Sequence, residues 1–530
     1  MAQSASKSGS PDGASSVAPD SAMKSVDNHY IERILKSRVY DVAIESPLDA
    51  APELSARLNN HVLLKREDLQ SVYSFKLRGA YNKLAGMPAD QLTRGIVCAS
   101  AGNHAQGVAL AASKLGCKAV VVMPTTTPAI KCKAVAALGG DIVSEGEDYD
   151  AAFAHAKDLA AREGMAFIHP FDDPDVIAGQ GTIGMEIMRQ HGGPVDAIFL
   201  PVGGGGLAAG VAVFVKYLYP QTRIIGVEPA DAASMKASLA AGRRVTLDEV
   251  GIFADGVAVR QVGEETFRLC QQYLDEVITV DTDEICAGIK DLFNDTRAMA
   301  EPAGAVGIAG LKKYVEQTGV ENQTLVTLNS GANLNFDRLL HVAERANIGE
   351  HTEALLAVEI PEEAGSFLKF CNALGRRPVT EFNYRYGNGS RAHIFVGINI
   401  AGDAQARDRL LSDLKGAGYD ALDLSDNELA KLHVRHMVGG SGDALADERL
   451  LRFQFPERRG ALLDFLTAVG GRWNISLFHY RNHGSNFGRV LAGIQVPASD
   501  DAVFRQHLDD LGYAWWDETA NPAYRMFLAS

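Results

Sequence analysis

Cysteine is scarce in this sequence: six in 530 residues (Cys98, Cys117, Cys132, Cys270, Cys286 and Cys371), none of them in a C-x-x-C pair. That spacing speaks against a disulfide framework or a cysteine-built zinc cluster and suits a reducing cytosol. His433 and His436 stand three apart, but no cysteine or carboxylate completes a metal set around them, so both read as structural or surface residues. Basic residues are outnumbered, 51 Lys and Arg against 66 Asp and Glu, for a net charge of −15. A chain without a basic stripe is not built to displace counterions from nucleic-acid phosphates. Only one long uncharged run occurs, Ala197 to Val215, and it contains Pro201 and five glycines. It divides into a buried strand, a glycine turn and a helix start, which leaves no membrane span. The first 27 residues lack an apolar core, a cleavable hydrophobic segment and arginine, and they contain Asp12 and Asp20. They read as a disordered tail rather than an import peptide, and the expected location is the cytoplasm.

What is present is apolar residue at 46%, charge at 22%, and 52 glycines. The length suits roughly three or four domains with several cores. From about residue 62 to 335, short β-rich runs alternate with helical stretches. Strands are expected at Val62 to Lys65, Gly95 to Ala99, Lys118 to Met123, Asp141 to Ser144, Ala166 to His169, Ala197 to Val202, Arg223 to Val227, Val277 to Val280 and Thr324 to Leu328. Amphipathic segments such as Asn103 to Leu115, Ala129 to Leu138 and Tyr149 to Arg162 lie between them. Near-continuous apolar strands separated by helices are the mark of a parallel α/β architecture, here divided into two open-sheet lobes.

After about residue 350 the composition changes, and all three tryptophans (Trp473, Trp515, Trp516) fall there. The segment repeats. Pro361-Glu-Glu-Ala-Gly365 answers Pro456-Glu-Arg-Arg-Gly460 at an offset of 95, Tyr384-Arg385 answers Tyr480-Arg481 at 96, and Gly418-Tyr419 answers Gly512-Tyr513 at 94. Each copy reads as a βαββαβ unit, so two small ferredoxin-like domains are expected to follow the α/β part. The expected division is a tail (1–27), a two-lobed catalytic part (28–345) and two further units (350–437 and 446–530).

Four turns carry the chemistry. Pro201-Val-Gly203-Gly204-Gly205-Gly206-Leu207 follows an apolar strand and opens a helix, which makes a phosphate cradle of backbone N–H groups without a lysine. The same loop fits G-x-G-x-x-A, with Glu228 ending the next strand where a ribose-binding acid would sit, so a dinucleotide site is a rival on spacing alone. Ser74-Phe75-Lys76-Leu77-Arg78-Gly79-Ala80 sets a lysine among small and apolar residues, which lower an amine's pKa and free it to form a Schiff base; a solvated lysine is the plain alternative. Ser100-Ala101-Gly102-Asn103-His104 offers a hydroxyl, an amide and loop N–H groups at a strand's carboxyl end; a helix cap is the plain alternative for Asn103, and His104 reads as scaffold. Ser330-Gly331-Ala332-Asn333 is a further polar turn after a strand.

Taken together, SFKLRGA, SAGNHAQG, the GGGGLAAG loop and SGAN, in that order, resemble the threonine dehydratases (threonine deaminases) among the fold-type-II pyridoxal-phosphate enzymes, over about residues 30 to 530. The resemblance implies pyridoxal 5'-phosphate as cofactor and Lys76 as its Schiff-base lysine. It also implies Asn103 as partner of the phenolic oxygen, Gly203, Gly204, Gly205, Gly206 and Leu207 as the phosphate loop, and Ser330 as partner of the pyridine nitrogen. Ser100, Ala101, Gly102, Asn103 and His104 would receive the carboxylate of L-threonine. The C-terminal pair resembles the ACT-like regulatory domains of the biosynthetic enzyme, which implies isoleucine as inhibitor, valine as opposing ligand and a homotetramer. Tyr384 and Tyr480, at matching places in the two copies, are effector-site candidates, although aromatic core packing explains each as well. A nicotinamide-dependent oxidoreductase using the glycine loop and Glu228, and a non-catalytic amino-acid sensor, are the competing functions.

Overall fold

A computed structural model describes residues 28–361, 369–370, 373–374, 377, 379–385, 391–400, 405–436, 447–456, 473–481 and 487–527. The expected tail, residues 1–27, lies outside them, as does most of each turn that follows Pro361 and Pro456. Strands form where β-branched and other apolar residues run together. β1 (Leu48–Ala50), β2 (His61–Arg66), β3 (Ile96–Ala99), β4 (Ala119–Met123), β5 (Asp141–Ser144), β6 (Ala166–Phe167), β7 (Ala197–Pro201), β8 (Arg223–Pro229), β9 (Glu276–Val280) and β10 (Thr324–Asn329) make up the α/β part. Every residue of β4 and of β7 is buried, as expected of strands covered on both faces. The run Ala197 to Val215 divides as its glycines and proline required, into β7, the glycine turn and the helix Gly206–Leu218.

The strands form two sheets, not one. A six-stranded sheet runs β1-β2-β10-β7-β8-β9, and a four-stranded sheet runs β5-β4-β3-β6. All pairings in them are parallel except β1 with β2, an antiparallel edge of three residues that the sequence reading did not anticipate. Alternate residues of the large sheet feed separate cores. Ile198, Leu200, Ile224, Val326 and Leu328 join one face; Ala197, Phe199, Ile225, Val227 and Leu325 join the other. Each sheet reverses its winding once: in the large sheet between β7 and β10, in the small one between β3 and β6. Such switch points open a crevice at the strands' carboxyl ends.

The C-terminal part holds two antiparallel sheets, ordered β12-β13-β11-β14 and β16-β17-β15-β18. Their strands are β11 (Glu353–Pro361), β12 (Val379–Arg385), β13 (Arg391–Asn399) and β14 (Ala421–Asp423), then β15 (Glu448–Pro456), β16 (Asn474–Arg481), β17 (Phe487–Gln495) and β18 (Ala514–Asp517). The first strand of each copy lies between the third and fourth, the order of a βαββαβ sandwich. Even irregularities repeat: the ladder shifts register between Val379 and Glu381, and again between Ile475 and Leu477. The two copies share a core built from Leu355, Phe395 and Leu429 of one and Leu450, Leu491 and Ala523 of the other. Asn427 Nδ2 of the first copy donates to Asn521 Oδ1 of the second at 3.3 Å.

A buried charge cluster ties the first copy to the α/β part. Asp283, at the start of the helix Thr282–Thr296, accepts from Arg345 of the helix Leu339–Gly349 and from Lys431 at 2.6 Å; Glu428 lies 2.5 Å from Arg345 and 2.7 Å from Lys431. Among the described residues no helix is long and apolar enough to cross a membrane.

Candidate active site

The four polar turns converge on the two switch points. The glycine loop leaves β7 and the Ser330 turn leaves β10, on either side of the large-sheet reversal; the Ser100–His104 turn leaves β3 and the His169–Asp173 turn follows β6, at the small-sheet reversal. Lys76 begins the helix Lys76–Ala85 and donates from Nζ to Pro170 O at 3.2 Å. The residue before it, Phe75, donates its N–H to Ser330 O at 3.3 Å, and Ala332 donates to Tyr73 O at 2.9 Å. Asn333 reaches across to Asn103 at 2.7 Å. Direct contacts therefore link three of the motifs, and Pro170 leads into Phe171, which presses on Gly204 of the glycine loop.

The glycine loop is shaped by what presses on it. A Cβ at Gly204 would lie 2.2 Å from the Phe171 ring, and Gly205 has φ +94°, where a side chain is strained. The loop's carbonyls are tied to the helix Glu264–Tyr273: Thr266 Oγ1 donates to Gly204 O at 2.6 Å. Asp172 in turn accepts from the N–H groups of Glu264, Glu265 and Thr266 at 2.9, 3.0 and 3.2 Å, holding that helix end beside the loop. The helix Gly206–Leu218 starts within the loop, and its first N–H groups have no partner inside the helix. This is a ready anion cradle in an acidic protein.

Burial sets the chemistry of the side chains. It pushes the Lys76 amine down to about 8, although the carboxyl of Glu301 pulls the other way. Burial pushes Glu301 up to about 7, with Asp255 adding to the effect, while Asn103, Lys131 and Arg338 oppose it. Asn103 Nδ2 donates to Glu301 Oε1 at 2.5 Å. Glu301 stands just before Pro302, the first residue of the helix Pro302–Thr318, and its N–H donates to Gly331 O at 3.1 Å. Sequence reasoning missed it. The only local signal is a carboxylate among small and apolar residues at a helix start, Ala300-Glu301-Pro302-Ala303-Gly304.

The remaining candidates are placed as follows. Ser330 is buried at the end of β10 and donates from Oγ to Ala303 O at 3.3 Å. Ser100 Oγ accepts from the Gly102 N–H at 3.2 Å, and Ala101 and Gly102 lead into the helix Asn103–Leu115. His104 Nε2 lies 3.1 Å from Ile168 O, and burial lowers its pKa to about 3, so the ring is a neutral scaffold. Tyr384 lies opposite Ile394 and Tyr480 opposite Val490 in their ladders; their side chains lie outside the described residues. Glu228 is not a ribose-binding acid. It is fully buried and accepts from the N–H groups of Met235 and Lys236 at 2.7 and 2.8 Å, at the start of the helix Ser234–Ala241.

Residues 39–331 match the family model of the pyridoxal-phosphate dependent enzymes, and residues 344–434 and 440–528 each match the C-terminal regulatory domain of threonine dehydratase. The chain is 57% identical over 503 residues to the biosynthetic L-threonine dehydratase of Burkholderia multivorans, covering 94% of this chain and 99% of that one. The chain belongs to the biosynthetic threonine dehydratase family. The Escherichia coli threonine dehydratase is 51% identical over 529 residues, which span all of both chains, so that alignment takes in the N-terminal segment as well. Among solved structures, the processed form of threonine deaminase isoform 2 from Solanum lycopersicum is 54% identical with a TM-score of 0.59, over 60% of this chain and 93% of that one.

Threonine dehydratases of this family use pyridoxal phosphate, and the residues in the crevice fit it. The glycine cradle has no room for side chains, and an amine of lowered pKa lies 3.2 Å from the carbonyl of Pro170, next to the Phe171 that presses on the loop. The buried Ser74 hydroxyl and Asn329 amide, flanking the Lys76 and Ser330 turns, have no hydrogen-bond partner among the described residues. Substituting Gly204→Ala should raise the cofactor dissociation constant by about tenfold or more, because the methyl must displace Phe171 or the loop. Equilibrium dialysis against pyridoxal phosphate measures it.

Proposed function

We propose that this protein is an L-threonine ammonia-lyase that converts L-threonine, and also L-serine, to the 2-oxo acid and ammonia, giving 2-oxobutanoate from threonine. The observation that carries this reading is the Lys76 amine, lowered to about 8 and held 3.2 Å from Pro170 O, with Phe75 bonded to Ser330 O on one side and Phe171 against Gly204 on the other. Bound pyridoxal phosphate, held by Lys76, Asn103, the Gly203 to Leu207 loop and Ser330, would supply an electron sink for the pair released at the substrate's Cα. Lys76 holds the cofactor and then, as a free amine, takes the Cα proton. Ser100 to His104 receive the substrate carboxylate with a hydroxyl and loop N–H groups, and so orient the Cα–H bond. Ser330 would meet the pyridine nitrogen with a neutral hydroxyl. A carboxylate at this position would favour a protonated, charged ring, which the neutral Ser330 hydroxyl would not. Formation of 2-oxobutanoate from threonine by the purified protein tests the reading, and its absence in the presence of cofactor overturns it.

Residues 28–345 form the catalytic part in this reading, while 350–437 and 446–530 regulate it. Isoleucine is the inhibitor and valine the opposing ligand, with Tyr384 and Tyr480 at their sites, and the enzyme works as a cytoplasmic homotetramer. The support is the doubled regulatory unit and its buried tie to Asp283. A chain ended after Glu350 keeps the helix Leu339–Gly349 and its Arg345–Asp283 pair. It should retain threonine turnover and lose isoleucine inhibition. Inhibition that persists in the shortened enzyme would sink the regulatory assignment.

A further inference from the structure

Amide groups present an oxygen and an NH2 of nearly equal size, and which of the two faces a ligand is decided by their partners. Around Asn103 the partners leave no choice. The backbone carbonyl of Val72 can only accept. Asn333 Nδ2 donates to it at 2.9 Å, so the NH2 of Asn333 is fixed. The same nitrogen lies 2.7 Å from Asn103 Oδ1, and a group that only donates there requires an acceptor. Asn103 therefore turns its oxygen to Asn333. Its own NH2 faces the opposite way, where Glu301 Oε1 accepts one hydrogen at 2.5 Å. The second hydrogen of that NH2 remains, with its direction set from both sides.

We propose that Val72, Asn333 and Glu301 form a polarity relay that holds Asn103 as a hydrogen-bond donor toward the cofactor's phenolic oxygen, with Asn333 and Glu301 as positioning residues. The proposal rests on the reading of Asn103 as the cofactor's partner and extends it to two residues outside the motif's own contacts. The site is built to keep the relay. Glu301 is 5% exposed, and a Cβ at Gly331 would lie 2.4 Å from its Oε1, so only glycine there leaves the carboxyl in place. Lys76, Lys131, Asp255 and Arg338 are the charged groups that act on Glu301 and its neighbours. With two cations and one anion besides Lys76 and no change of partner, an accepting Glu301 oxygen is available whether or not the carboxyl carries a proton.

The test uses the holoenzyme and reads its visible absorption band and its cofactor dissociation constant, by dialysis against falling pyridoxal phosphate. Asn333→Asp replaces the NH2 by an oxygen, so Asn103 must turn its own NH2 toward residue 333 and its oxygen toward Glu301. Glu301→Met removes the acceptor on the other side. Each variant is expected to shift the band and to raise the dissociation constant about tenfold, the scale of one lost hydrogen bond to a charged group. Far-UV circular dichroism and the thermal midpoint identify any variant that fails to fold; Asn333→Asp, being isosteric, carries the result if Glu301→Met does not. Asn103→Ala is measured beside them. If it shifts band and affinity while Asn333→Asp and Glu301→Met leave both at the parent values, the relay is overturned and the site reading stands. If all three match the parent, both are overturned.

Discussion

Lys76→Ala is expected to lower 2-oxobutanoate formation from threonine by at least about four orders of magnitude, the upper range for removing a positioned proton-transfer group. The size follows from Lys76 serving two purposes with one atom. In the proposed mechanism its Nζ holds the cofactor, and the same nitrogen later takes a proton from substrate carbon. Burial makes this possible by pushing the amine to about 8, so that a useful fraction is neutral near physiological pH, whereas an exposed lysine is almost wholly protonated. Lys131, also at the crevice, is not free to substitute, being held by Asp255 at 2.5 Å. The purified variant should also lose the yellow colour that borohydride bleaches in the parent. Near-parent turnover would exclude Lys76 from both tasks.

Arg78→Leu carries the largest expected loss of stability. Arg78 is fully buried two residues after Lys76 and spans two carboxylates. It donates to both oxygens of Glu67 at 2.8 and 2.7 Å and to both of Glu186 at 2.5 and 3.0 Å, with Thr182 Oγ1 at 3.2 Å. Lys65 also pairs with Glu186 at 2.7 Å, so Glu67 is the carboxylate left most exposed to the change. Removing one partner from such a buried network costs about 3–5 kcal/mol, because the remaining charge stays desolvated. A fall of about 6 °C or more in the thermal midpoint of the α/β part is expected. Its pH dependence has a definite sign. An unpaired buried carboxyl has a folded-state pKa raised above its unfolded value, so the folded state binds the extra proton and the deficit shrinks as pH falls. Differential scanning calorimetry at pH 5 and pH 8 measures both. Arg78→Lys should recover little, since a point charge cannot span two carboxylates as a guanidinium does. A midpoint unchanged in Arg78→Leu would show that the network is not structural.

The sequence showed Arg78 as one more letter of SFKLRGA, and nothing local distinguished it from a surface cation. Its value lies in Glu67 and Glu186, 11 and 108 residues away. The same holds at the active site. Asn103 and Ser330 stand in glycine-rich turns directly after apolar strands, and open α/β sheets place such turns at one end, so those residues were legible. Glu301 was not. It lies 198 residues from Asn103, in a turn with no motif, and its role comes from facing an amide in a closed space. Glu228 is the converse: its spacing after the glycine loop suited a ribose, but the fold spends both its oxygens on the N–H groups of Met235 and Lys236.

By itself the sequence determined the elements and their kind. Apolar runs with β-branched residues made strands, glycines and prolines ended them, and the offsets of 94 to 96 declared two copies of one unit, whose register shifts then fell at matching residues. These are local properties, set by backbone sterics and side-chain period. Tertiary structure alone decided which buried polar groups meet: the reversals at β7/β10 and β3/β6 that bring four turns together, the Asn333–Asn103–Glu301 chain, the span of Arg78, and the cluster of Asp283 with Arg345 and Lys431. The physical reason is that a buried hydrogen bond or charge takes its strength and its direction from partners brought up by the fold, and those partners are distant along the chain.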